Sequence, residues 1–235
     1  MEDKISIILP AYNELQNLRL LIPELVELMQ GREYEIVVVD DNSADGTRSY
    51  LESQDNPALS WVIREHSRGF ASAIAEGINQ AKGDVIVIMD SDFNHRPTDI
   101  LPMVEQLASS DFVSGSRFLK GGGSDYPCRT LFSRLFNCYV NASLKSNLTD
   151  HLFGLCVFRK RVLNHLDMSQ VFYGFGEYYI RFIYYLQHSG VFIAECSAHH
   201  QRRRWGNGNK KLIKTFKAYL QCVKQLSSRA HKGLH

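Results

Sequence analysis

No apolar run in this 235-residue chain approaches the ~18–20 residues that a bilayer-spanning helix requires. The chain is therefore not expected to cross a membrane. No secretory leader is expected either, since Glu2, Asp3 and Lys4 are followed by only a short strand-like run. Cysteine is sparse and unpaired in pattern: five residues, at 128, 138, 156, 196 and 222, with no Cys-x-x-Cys spacing. An odd, scattered set supports neither a disulfide framework nor a zinc site, and a reducing compartment is the simplest reading. Glycine is absent where a dinucleotide fold would place Gly-x-Gly-x-x-Gly. The first strand-like run instead ends in "PAYNE" (10–14), which disfavours NAD and FAD, and no Walker A sequence occurs. There is no internal repeat and no low-complexity segment. A large charge of one sign is also missing. The formal net charge of +2 implies no polyelectrolyte role, and acid-rich strand ends argue against a nucleic-acid binder.

The remaining composition suits one large α/β domain or a domain with an appendage, with 44% apolar residues for its core. Short apolar runs at 5–10, 35–41, 59–65, 85–89 and 111–118 alternate with helical patterns. The helical patterns lie after residue 13, at 70–81 and at 98–109. Leu18, Leu21, Ile22, Leu25 and Leu28 share one face of the first helix. Asn13 is its expected N-cap, and Pro23 is expected to kink or restart it. This βαβα rhythm predicts a mostly parallel sheet with helices on both faces. After a Gly-rich segment at 119–127, helices are expected at 128–146, 175–188 and 210–226, and strands at 152–158 and 190–196.

The stretch "VIVIMDSDFNH" (85–95) carries the strongest chemical signal. Its continuous apolar run reads as a strand covered on both faces. Asp90 and Asp92 follow at its carboxyl end, where open α/β sheets bind ligands. Taken alone, Asp-x-Asp is most often an ordinary exposed turn. Two carboxylates aimed the same way repel unless a cation lies between them, and Mg²⁺ or Mn²⁺ prefers oxygen ligands. Two further strands also end in polar or acidic residues, "PAYNE" and "DDNSADGT" (40–47), so three such endings would converge on one edge.

The ordered set "SIILPAYNELQNL", "VVVDDNSADGT", "RGFASAIAEG", "DVIVIMDSDFNHRP" and "FVSGSRF" resembles glycosyltransferase family 2, with its GT-A fold. The likeness is to the branch that uses dolichyl or other polyprenyl phosphates, and it covers roughly residues 4 to 210. It implies a core domain at 1–210 followed by a basic amphipathic helix and tail at 211–235. It implies that Pro10, Tyr12, Glu14 and Asp41 border the nucleoside of a nucleotide sugar, together with Asp90, Ser91 and Asp92. Asp90 and Asp92 would hold the divalent cation, with Asn94 as a third ligand. Arg117 in "GSRF" would meet the acceptor phosphate, with Arg129 and Arg134 as further candidates. "DHLFGLCVFRK" (150–160) retains Asp150 and Gly154 of an Asp-Pro-Met-Ser-Gly segment. "HHQRRRWGNGNKK" (199–211) resembles a basic Arg-x-x-Gly-x-Ser-Lys element, with Arg203 and Gly206 in place and Lys210 or Lys211 supplying the last charge.

The function implied is metal-dependent, inverting transfer of a hexose from a nucleotide diphosphate sugar to a polyprenyl phosphate. The enzyme would lie on the cytoplasmic face of a membrane, with a small integral membrane partner as a further candidate. Two alternatives stay open. One is a hydroxyl acceptor on a glycan or small molecule, which would need a carboxylate base such as Asp150 or Glu177. The other is a non-catalytic nucleotide-sugar binder.

Several features have plainer readings. Arg202 to Arg204 could be a solvated cluster. Glu177 and Arg181 could pair along a helix. His199 and His200 lack a third partner at metal-ligand spacing and read as structural or as neighbours of phosphate. The Tyr and Phe stripe at 172–185 reads as core rather than a lipid slot. In the last helix Leu212, Phe216, Tyr219, Leu220, Val223 and Leu226 form an apolar stripe, with Lys210, Lys211, Lys214, Lys217 and Lys224 beside it. That pattern fits a helix lying on a membrane surface and equally a helix docked on the core.

Overall fold

The computed structural model describes residues 3–66, 68–206 and 212–231. The strands are β1 (Ile5–Ala11), β2 (Tyr34–Asp40), β3 (Leu59–Ile63), β4 (Val85–Ile88), β5 (Phe112–Ser116), β6 (Gly123–Ser124), β7 (Cys156–Arg159), β8 (Ile193–Ser197) and β9 (His199–His200). The helices are α1 (Leu15–Leu28), α2 (Thr47–Glu52), α3 (Phe70–Gln80), α4 (Ile100–Gln106), α5 (Pro127–Leu144), α6 (Met168–Val171), α7 (Glu177–His188) and α8 (Leu212–His231). Seven strands form one sheet in the order β3-β2-β1-β4-β7-β5-β8, and β6 pairs with β9 separately. Strands β3, β2, β1 and β4 run parallel, β7 runs antiparallel to β4 and β5, and β8 runs parallel to β5. The expected α/β architecture is present, with one reversed strand in the middle.

The sheet is buried on both faces because successive side chains of each strand point to opposite sides. Ile5, Ile7 and Leu9 of β1, with Ile36 and Val38 of β2, pack under α1 and α4. Ile8, Val37, Val39, Ile86 and Ile88 face α3 and α7 on the other side. Close packing on that second face requires a glycine in α3. A side chain at Gly77 would run into Ile8 and press on Val39. A third cluster joins Phe136, Val140 and Leu144 of α5, Ile180 and Tyr184 of α7, and Cys222, Val223 and Leu226 of α8. The aromatic stripe at 172–185 is core in part: Phe172, Tyr178, Tyr179, Phe182 and Tyr184 are buried, while Tyr173 and Phe175 are exposed and Phe175, Tyr178 and Tyr179 line a cavity.

Local expectations failed in three places. Asn13 does not cap α1. It lies at φ 56° and its Oδ1 accepts from the Ala44 N–H, so the cap position falls to Glu14. Helix α1 does not restart at Pro23 but runs through it as one element. Glu177 and Arg181 form no ion pair. Arg181 donates instead to the carbonyls of Val171 and Tyr173, closing the turn before α7.

Chain order places the site. From β1 the chain winds outward through β2 and β3, then returns to lay β4 against the other side of β1. The carboxyl edge between β1 and β4 is thus the switch point of the sheet, where the flanking loops diverge and leave a crevice.

Replacing Gly77 by Val should destabilise the fold by about 2–3 kcal/mol through overpacking. The midpoint of thermal unfolding should then fall by roughly 5–10 °C, measured by circular dichroism.

Candidate active site

A cavity of about 570 Å³ opens at that switch point. Its floor is the end of β4. Ser91 turns inward and its hydroxyl donates to the Pro10 carbonyl at 2.8 Å, tying the ends of β1 and β4 together. Asp90, Asp92 and Asn94 then line the cavity. His95 sits beneath them, almost fully buried. Its Nδ1 accepts from the Asp90 N–H and its Nε2 contacts the Phe153 carbonyl, each at 2.9 Å. The proton must therefore lie on Nε2, and burial pushes the imidazole down to about 4, so the ring stays neutral. It is a rigid brace between the acidic loop and the segment before β7.

The two acids are held differently. Asp92 Oδ1 accepts from the Asn94 N–H at 2.9 Å, and Oδ2 accepts from Asn94 Nδ2 at 2.8 Å and from Arg203 Nη1 at 2.7 Å. Asn94 thus holds Asp92 with its amide nitrogen. Asp90 accepts no hydrogen bond on its carboxylate among the described residues. Its nearest partner is His95 Nε2 at 3.8 Å. The Asp90 side chain keeps 30% of its accessibility, because it faces the cavity. The enclosing walls nevertheless remove most of its bulk water and push its carboxyl up to about 6. Asp92 is also raised, by burial first and then by the charge of Asp90. A carboxylate left unpaired beside a second one, both facing a cavity, is a fitting seat for a hard divalent cation. Among the described residues no group of three or more His, Cys, Asp or Glu could hold a metal. Asp90 and Asp92 would therefore be the acidic ligands, with Asn94 beside them in the cavity wall, leaving positions for substrate phosphate and water.

Pro10, Tyr12, Glu14 and Asp41 line one end of the cavity, where the resemblance placed the nucleoside. Asp41 is fixed by Arg64 Nε at 2.6 Å and by the Gly69 N–H at 2.8 Å. Arg68 reaches over the half-exposed Tyr12 ring, 5.0 Å from its centroid, and bonds the Tyr12 hydroxyl and the Asn42 carbonyl. Arg68 was quoted within "RGFASAIAEG" without a role. Nothing in its spacing pointed to Tyr12, which lies two strands away.

Arg203 lies across the acids. It bridges Asp92 and Glu14, and the following residue pairs do the same work: Trp205 N–H donates to Asn17 Oδ1 at 3.2 Å, and Arg204 stacks over Phe93 at 3.7 Å. The basic cluster is partly solvated: Arg202 and Arg204 are exposed, Arg204 over the Phe93 ring, and only Arg203 is withdrawn onto the acids. Arg117 is 5% exposed and grips the fully buried Asp150 through Nε at 2.7 Å and Nη2 at 2.9 Å. Its Nη1 donates to no described residue, and the residue lines the cavity. Arg129 of α5 lines it too, whereas Arg134 is exposed and does not. Lys210 and Lys211 lie outside the described residues. His200 was read as structural or as a neighbour of phosphate. It lines the cavity near Arg117 and Arg129, and burial foremost pushes it down to about 3. The cavity wall also includes apolar and aromatic side chains, Phe70, Leu152, Phe175, Tyr178 and Tyr219. Tyr219 enters because position 176 is glycine; a methyl group there would meet its hydroxyl.

The sequence profile of glycosyl transferase family 2 matches residues 6–167. The chain belongs to glycosyltransferase family 2. It is 34% identical over 174 residues to a dolichol-phosphate mannosyltransferase of Pyrococcus furiosus, covering 72% of this chain and 49% of that protein. It is 32% identical over 166 residues to an undecaprenyl-phosphate 4-deoxy-4-formamido-L-arabinose transferase of Pseudomonas aeruginosa, covering 68% and 48%. The chain thus spans about half the length of the curated relatives it matches. Among solved structures, glucosyl-3-phosphoglycerate synthase of Mycobacterium tuberculosis with UDP superposes with a TM-score of 0.72 at 20% identity, over 97% of this chain and 81% of that one. The same enzyme with Mn²⁺, UDP and glucosyl-3-phosphoglycerate gives 0.70 at 20% identity, over 100% and 81%. At that identity the likeness shows the fold, which is GT-A.

Asp92→Asn should weaken Mn²⁺ binding by roughly 100-fold or more, since a ligand is lost and not merely its support. Mn²⁺ titration followed by electron paramagnetic resonance checks this, with an unchanged circular dichroism spectrum as the control. The pH dependence follows from Asp90. Its folded-state value near 6 means a proton competes for the carboxylate below that pH. Mn²⁺ affinity should therefore be constant above about pH 7 and fall by up to about tenfold per unit below 6.

Proposed function

We propose that this family 2 glycosyltransferase moves a hexosyl group from a nucleotide diphosphate sugar to a polyprenyl phosphate. The reading rests on one observation: a single cavity is lined by paired acids, by arginines, and by aromatic and apolar side chains. The acidic end suits a nucleotide diphosphate sugar carrying a divalent cation. Arg117 Nη1 and Arg129 suit a second phosphate. The apolar wall formed by Phe70, Phe175 and Tyr219 suits a hydrocarbon chain attached to that phosphate. Relatives named for dolichyl and undecaprenyl phosphates support the same acceptor class.

In the reaction, an acceptor phosphate oxygen forms the new bond to the anomeric carbon while the bond from that carbon to the nucleotide diphosphate breaks. The electron pair leaves with the diphosphate, and direct displacement converts an α-linked donor into a β-linked product. A divalent cation at Asp90 and Asp92 would supply charge neutralisation to the leaving diphosphate. The attacking oxygen is already anionic, so no general base is required. The arginines offset the repulsion between the two phosphates as they approach. Tyr12 and Asp41 orient the nucleoside, and His95 keeps the acidic loop from shifting.

A hydroxyl acceptor would need a carboxylate base, and the two candidates are poorly placed for it. Asp150 is fully buried and gripped by Arg117, and Glu177 is buried outside the cavity wall.

Incubation with a panel of radiolabelled nucleotide sugars, Mn²⁺ and a polyprenyl phosphate should carry label into an organic extract for at least one donor. Label that moves only onto water-soluble hydroxyl compounds would overturn the reading. Arg129→Ala should raise the KM for the lipid phosphate about tenfold, the worth of one charge-assisted contact. Donor affinity measured by calorimetry should be unchanged. Arg117→Ala is a poorer probe, because it strands the buried Asp150 charge at a cost of about 3–5 kcal/mol of stability.

A further inference from the structure

A second cavity, of about 580 Å³, opens between α7 and α8 and shares no lining residue with the reaction cavity. The way α8 packs creates it. Of the apolar stripe expected on this helix, Val223 and Leu226 are buried against α5 and α7, with Cys222 beside them. Over this stretch the helix is docked on the core, the second of its two readings. Its polar residues Lys224, Ser228 and Arg229 are exposed. They join Arg181, Tyr173 and Tyr185 around the opening. The lining therefore holds three cations and two phenols, and it contains no Asp or Glu.

Arg181 is the member that asks for a partner. It is 3% exposed, and a guanidinium withdrawn from water is ordinarily matched by a carboxylate. Here three of its five N–H groups are taken, by the Val171 carbonyl at 3.0 Å, the Tyr173 carbonyl and the Cys222 sulfur at 3.7 Å. None of these acceptors is charged. Glu177, one turn earlier, is buried as well. It makes no ion pair with Arg181 among the described residues, and its Oε2 has no hydrogen-bond partner. The contacts orient the guanidinium without neutralising it. The second arginine is held the same way: Arg229 Nη1 donates to the Tyr185 hydroxyl at 2.5 Å and to Gln170 Oε1 at 3.3 Å, both neutral.

The aromatic part of the lining narrows the ligand further. The Tyr173 ring lies over Arg181, its centroid 3.5 Å from the guanidinium carbon, and keeps 47% of its accessibility. A ring backed by a cation and open to a cavity is a stacking surface for a planar group. The volume is that of a site for a small organic molecule and exceeds what a bare oxyanion fills.

We propose that the cavity between α7 and α8 binds a soluble organic phosphate with a planar body. Its phosphate oxygens accept from Arg181, Lys224 and Arg229, and its ring lies against Tyr173. The site is independent of the acceptor reading. It sits one helical turn behind the reaction cavity, since Tyr219 of α8 lines that cavity and Cys222 lines this one.

The test is calorimetric titration of the full chain in EDTA with three probes: adenosine 5′-monophosphate, adenosine and inorganic phosphate. The wild type should bind the monophosphate at least tenfold more tightly than either other probe. K224A/R229A should weaken that binding at least tenfold, the worth of a charge-assisted contact. Both side chains are exposed, so this variant should keep the wild-type thermal midpoint without ligand. K224R/R229K, which keeps both charges, should bind within about threefold of the wild type by the same charge argument. Tyr12→Ala, in the reaction cavity, should leave the binding unchanged. No binding of the monophosphate by the wild type, or equal binding by K224A/R229A, overturns the proposal. So does a loss in Tyr12→Ala alone, because the probe is then in the reaction cavity. Adenosine binding as tightly as its monophosphate removes the oxyanion, and inorganic phosphate binding as tightly removes the planar body.

Discussion

Parallel strands concentrate charge. Because β1, β2 and β4 run the same way, whatever follows each of them emerges at one edge, and here that is Glu14, Asp41, Asp90 and Asp92. Four carboxylates in one crevice repel one another, and the surrounding structure is arranged by how each is compensated. Arg64 neutralises Asp41 at 2.6 Å. Arg203 spans Glu14 and Asp92. Among the described residues Asp90 alone has no cationic partner within ion-pair distance, its one neighbour at that range being the neutral His95. The imbalance is local, directional and open to a cavity, which is how a fold reserves a place for a cation it does not itself supply.

The basic half of the cavity follows a different logic. Arg117 is anchored from behind by a buried aspartate, so its guanidinium is held without a side-chain entropy cost at the moment of binding. Arg129 is exposed and lightly held. One rigid and one adjustable cation suit a ligand whose phosphate is fixed but whose tail varies.

Much of this was legible from residues alone. The strands from 5 to 89 announced themselves as continuous apolar runs, and their acidic endings had to converge once the strands were parallel. What stayed hidden depended on partners distant in the chain. Arg181 and Glu177 have perfect helical spacing, yet two carbonyls at a turn claimed the arginine. The stripe on α8 has the right period for a membrane helix, but periodicity cannot say which neighbour an apolar face meets. The converse held for α5. Its outward apolar residues look like core in sequence, and only the burial of its opposite side reveals that they are free. His95 stood in the stretch that drew attention first, but its role depends on a carbonyl 58 residues away.

The clasp of Arg203 on Asp92 gives the protein a resident competitor. A cation bound through Asp92 Oδ2 would compete with the guanidinium, so its affinity would depend on the fraction of molecules in which the clasp stands open. Such an exchange would trade one positive charge for another, and Glu14, the second partner of Arg203, would keep it close. An arginine displaced in this way would stay beside the crevice, where it could meet the phosphates of a bound nucleotide.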